Sequence, residues 1–182
     1  MSNALVLLAQ GCEELEAITV TDLLVRAGIN VTTAGLDKQV VTASRGTRII
    51  PDTDIDQLAG NHYDLLVLPG GLPGANHLRD DERVQALLKK QVSNNHYVAA
   101  ICAAPKALAR AGLLDGKQVT CYPGSLGDAD LTSTTITGNA LEIDGKIITS
   151  RGPGTAMDFA LALIELLEGR EKRNEVNQQL VR

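Results

Sequence analysis

The five residues Tyr97-Val-Ala-Ala-Ile101 run without a polar break into Cys102-Ala-Ala-Pro-Lys106. So short an apolar run, with no alternation, is what a strand buried on both faces requires, and such a strand belongs in a sheet covered by helices on both sides. Ala103 to Arg110 is rich in helix formers, Pro105 suits a first helical turn, and Gly112 stands where a C-terminal cap would sit. Cys102 is therefore predicted at the joint between strand and helix. In open α/β sheets that edge is where ligands bind. The free N–H groups and partial positive charge of a helix N-terminus favour thiolate, which predicts a pKa below the free value of about 8.5. A cysteine in an apolar run also has a plainer reading, as inert packing. Against it stands the joint itself, the nucleophile elbow that serves the serine hydrolases.

The rest of the chain supplies the layers such a strand needs. Ala4 to Ala9 and Asp64 to Leu68 are further buried strands, and Asn30 to Ala34 follows a helix predicted over about 14–27. That helix has an acidic first turn, Gly28 at its end, and Leu15, Ile18, Leu23 and Val25 at roughly helical spacing for its buried face. Val40 to Ser44 and Thr47 to Ile50 are predicted as short strands around Arg45-Gly46, and Asp54 to Ala59 as one helical turn. A helix capped by Asp80 or Asp81 is expected to run to about Val92. Gln118 to Cys121 reads as a strand and residues 124–139 as an irregular excursion. Asp144-Gly145 signals a hairpin between Leu141–Ile143 and Lys146–Thr149. A helix from about Thr155 to Glu168, a break at Gly169 and a polar helix over 170–181 complete the pattern. Strands alternating with helices predict an α/β fold, a three-layer sandwich with a mainly parallel sheet, as one domain over 1–182. The loops following strands, at 10–13, 69–74, 102–104, 122–124 and 150–154, are expected on one edge.

Composition narrows the function classes. Aromatic residues make up only 2% of the chain, so stacking platforms for single-stranded nucleic acid are not expected. The net charge of -5, with no basic run, argues against a nucleic-acid or anionic-membrane surface. No apolar run approaches a membrane span, and the N-terminal apolar piece lacks the basic flank of a signal peptide. An odd number of scattered cysteines, three, makes no disulfide framework and suggests a reducing, cytoplasmic setting. The histidines at 62, 77 and 96 lack metal-ligand spacing. That spacing implies no metal, and with no glycine-rich phosphate loop no nucleotide or flavin cofactor is implied.

Taken together, Ala4-Leu-Val with Gly11-Cys-Glu-Glu-Leu-Glu16, Val67-Leu-Pro-Gly-Gly71, Ala99-Ala-Ile-Cys-Ala103 and Thr149-Ser-Arg-Gly-Pro-Gly-Thr155 span nearly the whole chain. In this order they resemble the ThiJ/PfpI superfamily, in the branch that contains the human Parkinson-disease protein deglycase. The resemblance implies a flavodoxin-like fold, usually as a homodimer. It makes Cys102 the nucleophile and Glu16 the carboxyl group that bonds its sulfur and moves protons. It makes the main-chain N–H groups of Gly71 and Ala103 an oxyanion hole. Arg26 and Arg45 match arginines at the mouth of the site, one contributed across the dimer, and Tyr122 takes the place of a histidine found there in the human relative. Read alone, Glu16 is a solvated partner of the helix dipole and the two arginines are surface charges.

The activities implied are glyoxalase action on methylglyoxal without glutathione and hydrolytic deglycation of early protein or nucleotide adducts, with a small dicarbonyl or glycated compound as substrate. The alternative is an oxidative-stress sensor and chaperone working through a Cys102 sulfinic acid. A cysteine peptidase or amidase is disfavoured, because the residue after the nucleophile is Ala103 where the peptidase branch has histidine. Cys121 reads as core rather than as a second thiol near the site, and Cys12 as a partly exposed bystander.

Overall fold

A computed structural model describes every residue except Ala59, Asp128 and Arg182. Its centre is a seven-stranded sheet in the order β10-β11-β7-β6-β1-β2-β5. The strands are β1 (Asn3–Leu8), β2 (Asn30–Gly35), β5 (Thr53–Asp54), β6 (Leu65–Leu68), β7 (Tyr97–Ile101), β10 (Leu141–Asp144) and β11 (Ile147–Ser150). Every pairing is parallel except β10 with β11. This is the mainly parallel sheet of a flavodoxin-like fold.

The apolar runs are continuous because both faces of each strand are covered. Ala4, Val6, Leu8, Leu65, Val67, Ala99 and Ile101 point into one core, beneath α1 (Glu14–Arg26) and α5 (Ala156–Gln179). Leu5, Leu7, Leu66, Leu68, Val98 and Ala100 point into the other, beneath α2 (Gly74–Asp80), α3 (Glu82–Ser93) and α4 (Pro105–Arg110). The chain leaves β1 toward the first layer and β6 toward the second. The crevice between those two strand ends is therefore the switch point at which doubly wound sheets take their ligands.

Several elements differ from the sequence reading. On α1 the predicted stripe is mostly on the wrong side: Leu15, Ile18 and Val25 are 49%, 49% and 56% exposed. The buried face is Glu16, Ala17, Val20, Leu23 and Leu24. Helix α2 was not expected; it starts directly at Gly74, and Asp81 then caps α3 by accepting from the Arg83 N–H. The expected strand over 118–121 shrinks to β8 (Gln118–Val119), which pairs with β9 (Thr135–Ile136) in a separate two-stranded sheet. Thr53–Asp54 adds an unforeseen edge strand, and a 3-10 turn at Ile55–Leu58 covers most of the predicted helical turn, whose last residue, Ala59, lies outside the described residues. The short strands β3 (Val41–Thr42) and β4 (Arg48–Ile49) do form an antiparallel hairpin around Arg45-Gly46. In the β10–β11 hairpin Asp144 pairs with Ile147, so the turn is Gly145-Lys146, one residue later than read. Gly169, at φ 86 and ψ 171, breaks the last helix.

Candidate active site

Cys102 follows β7 and precedes α4 by two residues, so it sits on the elbow. Its φ is +63, a left-handed conformation that costs a residue with a side chain about 1–3 kcal/mol. Its surroundings hold it there. The Cys102 N–H donates to the Ser150 carbonyl at 2.9 Å, and its own carbonyl accepts from the Tyr122 N–H at 2.8 Å. The thiol meets the Gly70-Gly71 turn that follows β6 and the Glu16 carboxyl group at the start of α1.

That turn is held by the start of α1. The Gly70 N–H donates to Glu16 Oε2 at 2.7 Å, and the Gly70 carbonyl accepts from the Glu13 N–H at 2.8 Å. A peptide unit is planar, with its carbonyl and the next N–H pointing in opposite directions. Fixing the Gly70 carbonyl on Glu13 therefore turns the Gly71 N–H the other way, onto the Cys102 sulfur, where the Ala103 N–H also donates. Side chains are excluded from this floor. A Cβ on Gly70 would lie 2.6 Å from the Cys102 Cβ and one on Gly71 2.4 Å from the Glu13 nitrogen. One on Gly74 would lie 2.6 Å from the Cys12 nitrogen.

Glu16 is 0% exposed, which overturns its reading as a solvated dipole partner. Its Oε1 is buried without a hydrogen-bond partner. Burial pushes the carboxyl up from 4.5 to about 7, opposed by the Gly70 N–H and by the Cys102 thiol and reinforced by the charge of Glu13. Burial also pushes the Cys102 thiol up to about 12; the Glu16 charge adds to this, while the Gly71 and Ala103 N–H groups pull it back. The expectation of a thiol below about 8.5 is thus reversed, by burial first and by the Glu16 charge second. The physical reason is that α4 is only six residues long, and its dipole is outweighed by desolvation and a neighbouring carboxylate. Cysteine and glutamate titrate as a pair. A proton on Glu16 Oε1 removes the repulsion and gives the unpartnered oxygen a donor role.

The hairpin from β3 to β4 is tied to the acidic start of α1. The Ser44 hydroxyl donates to Glu13 Oε2 at 2.9 Å and to Glu14 Oε2 at 3.1 Å, and Glu14 also accepts from the Arg45 and Thr47 N–H groups. Glu13 and Ser44 were not singled out in the sequence, where nothing separates Glu13 from its acidic neighbours. Arg45 is exposed at the hairpin tip. Arg26 pairs with Asp22 at 2.7 Å. Ten residues along the helix place Arg26 about 15 Å from Glu16, so one protomer does not bring them together. Tyr122 is half exposed, and its ring would lie 3.4 Å from a Cβ on Gly152, so it does line the loop edge. Cys12, expected to be partly exposed, is fully buried; Cys121 is in the core. Among the described residues no histidine is among the groups acting on the Cys102 thiol. No group of three or more His, Cys, Asp or Glu among them could hold a metal ion. No described helix is long and apolar enough to cross a membrane.

This geometry has known counterparts. The profile of the DJ-1/PfpI family matches residues 2–166. Protein dj-1beta of Drosophila melanogaster is 45% identical over 180 residues, covering 98% of this chain and 96% of that protein. The glutathione-independent glyoxalase DJR-1.2 of Caenorhabditis elegans is 36% identical over 179 residues, covering 98% and 95%. The solved structure of oxidized Toxoplasma gondii DJ-1 superposes with a TM-score of 0.94 at 35% identity, covering 100% of this chain and 98% of that one.

Proposed function

This chain belongs to the DJ-1/PfpI family, and on that premise we propose that it is a cofactor-independent glyoxalase and deglycase with Cys102 as nucleophile. The observation that carries the reading is the pairing of the elbow thiol with a buried carboxyl group whose Oε1 has no other partner. The thiol proton passes to Glu16 and the sulfur adds to the aldehyde carbon of a methylglyoxal-type dicarbonyl. The oxyanion formed takes hydrogen bonds from the Gly71 and Ala103 N–H groups, which are already oriented before the substrate arrives. Glu16 returns its proton to that oxygen, giving a hemithioacetal. The freed carboxylate then takes the proton from the former aldehyde carbon while the hydroxyl proton is given up, and delivers a proton to the neighbouring carbonyl carbon, giving a cysteine thioester of lactate. Water hydrolyses it and restores the thiol, so the balance is one dicarbonyl plus one water to one hydroxy acid. A carboxyl group titrating near 7 suits both giving and taking that proton. The name of the nematode relative, a glutathione-independent glyoxalase, supports the same chemistry. Early glycation adducts, hemithioacetals or aminocarbinols that carry the same former aldehyde carbon, are the second substrate class.

Exposed Leu15, Ile18 and Val25 on α1 support a homodimer through that helix, which would carry the partner's Arg26 toward the site. A reducing cytoplasm, where the thiol stays free, belongs to this reading.

The test is lactate production from methylglyoxal with no thiol added, comparing the wild type with Cys102→Ser. Lactate from the wild type alone is expected. Lactate from both proteins removes the cysteine from the reaction. Lactate from neither favours the second reading, a redox sensor and chaperone, which the same two N–H donors and a protonated Glu16 support by stabilising a sulfinate.

A further inference from the structure

Lys106 and Arg110 are four residues apart on α4 and so share one face of it, with Ala109 as a small floor between them. Arg79, in the last turn of α2, faces them across a cleft of about 320 Å³ that Ser125, Ala129 and Asp130 complete. Two like charges at this spacing repel, and both arginines have acidic neighbours. Arg79 pairs with Asp80, Arg110 contacts Glu82 and the Arg79 carbonyl, and Asp130 lies exposed among the lining residues. These acids balance the three cations in number, but the Asp80 and Glu82 side chains are largely exposed, and such pairs exchange readily. Lys106 differs. It is partly buried, its Nζ donates to the neutral Asn76 Oδ1 at 2.9 Å, and among the described residues it pairs with no carboxylate. Two of its three protons remain for a ligand. The Ser125 hydroxyl is a further donor, spent only on a long 3.5 Å contact to the Cys102 carbonyl.

We propose that this cleft binds a phosphate group, held by Lys106, Arg79 and Arg110 with Ser125 as the neutral donor. A compact tetrahedral anion matches a lysine point charge flanked by guanidinium forks. The 122–126 turn connects the cleft to the nucleophile, because Tyr122 and Ser125 both bond the Cys102 carbonyl. The phosphate comes either from inorganic phosphate or from a phosphate monoester.

The test is amide NMR titration of the labelled protein with sodium phosphate, with glycerol phosphate in a parallel arm and sodium chloride at matched ionic strength as control. No turnover is needed, so failure here leaves the glyoxalase reading untouched. Saturable shifts are expected around 106–110 and 125 in both phosphate arms and not in chloride. Affinity is expected to fall about tenfold or more in Lys106→Met. Arg110→Gln is the second variant, because Lys106 also ties α4 to α2 through Asn76. Tighter binding of glycerol phosphate supports a monoester site; tighter binding of inorganic phosphate supports a phosphate-ion site. Equal shifts in chloride, shifts confined to other surfaces, or wild-type affinity in both variants overturn the proposal.

Discussion

Replacing Glu16 by glutamine isolates what the buried carboxyl group costs the fold. Glutamine keeps the acceptor for the Gly70 N–H and places an amide at the position of Oε1. The wild-type carboxyl titrates at about 7 when folded, against 4.5 unperturbed. A group whose pKa is raised in the folded state contributes its full stability below the unfolded value and loses it as the pH climbs through the folded one. At about 1.4 kcal/mol for each pH unit, the loss between pH 4.5 and 7 is about 3 kcal/mol. The group is fully buried, so solvent screening reduces this little. Glu16→Gln escapes the loss. It should melt close to the wild type at pH 5 and about 6–12 °C above it at pH 8, using the usual sensitivity for a chain of this size. Thermal melts followed by circular dichroism at the two pH values measure this directly. An offset independent of pH would refute the reasoning, because it would mean that Glu16 does not titrate within the window. The same variant should lower the Cys102 pKa from about 12, since the carboxylate charge is gone. It should also lose dicarbonyl turnover, since an amide cannot carry the proton. Greater stability with less activity is the trade-off expected where a fold holds a strained functional group.

Three further outcomes are expected. Gly71→Ala should destabilise the protein by at least about 2 kcal/mol and abolish turnover, because φ is +86 and the new Cβ would lie 2.4 Å from the Glu13 nitrogen; an unchanged melt would refute the cradle. Graded peroxide followed by peptide mass spectrometry should modify Cys102 before Cys12 or Cys121, as the thiol with the most residual access, and give mainly sulfinic acid; Cys12 reacting first would contradict this. Sedimentation velocity should find a dimer for the wild type and a monomer for Leu15→Asp with Ile18→Asp; a wild-type monomer at micromolar concentration would sink the α1 interface.

The central strands were legible because burial on both faces leaves an unbroken apolar run, and the elbow was legible because Pro105 marks a helix start directly after such a run. The irregular parts carried weaker signals. Helix α2 opens with Gly74-Ala-Asn-His, which has neither a capping side chain nor an apolar stripe. On α1 three large apolar side chains, Leu15, Ile18 and Val25, face outward, while the small Ala17 and the carboxyl of Glu16 face in beside Val20, Leu23 and Leu24. Periodicity counts apolar residues and so selected the wrong face. The burial of Glu16 left no local trace, because an acid in a first helical turn already satisfies the dipole. The thiol was misjudged for a related reason. Helix position is written in the sequence, whereas desolvation arises only when distant segments close over the site.

The glycine floor has a consequence for how such a protein can diverge. At 70, 71 and 74 the space for a β-carbon is taken by the Cys102 side chain or by the backbone of 11–13. Drift is closed at these three positions whatever the substrate, since the obstacle is there before any ligand binds. Arg45, at the hairpin tip, and Tyr122, at the loop edge, are exposed, and no close backbone contact restricts their side chains in that way. New specificities in a lineage built on this scaffold must therefore be written around the mouth, on an unchanging floor that selection for stability alone would preserve even in a copy that had lost its chemistry.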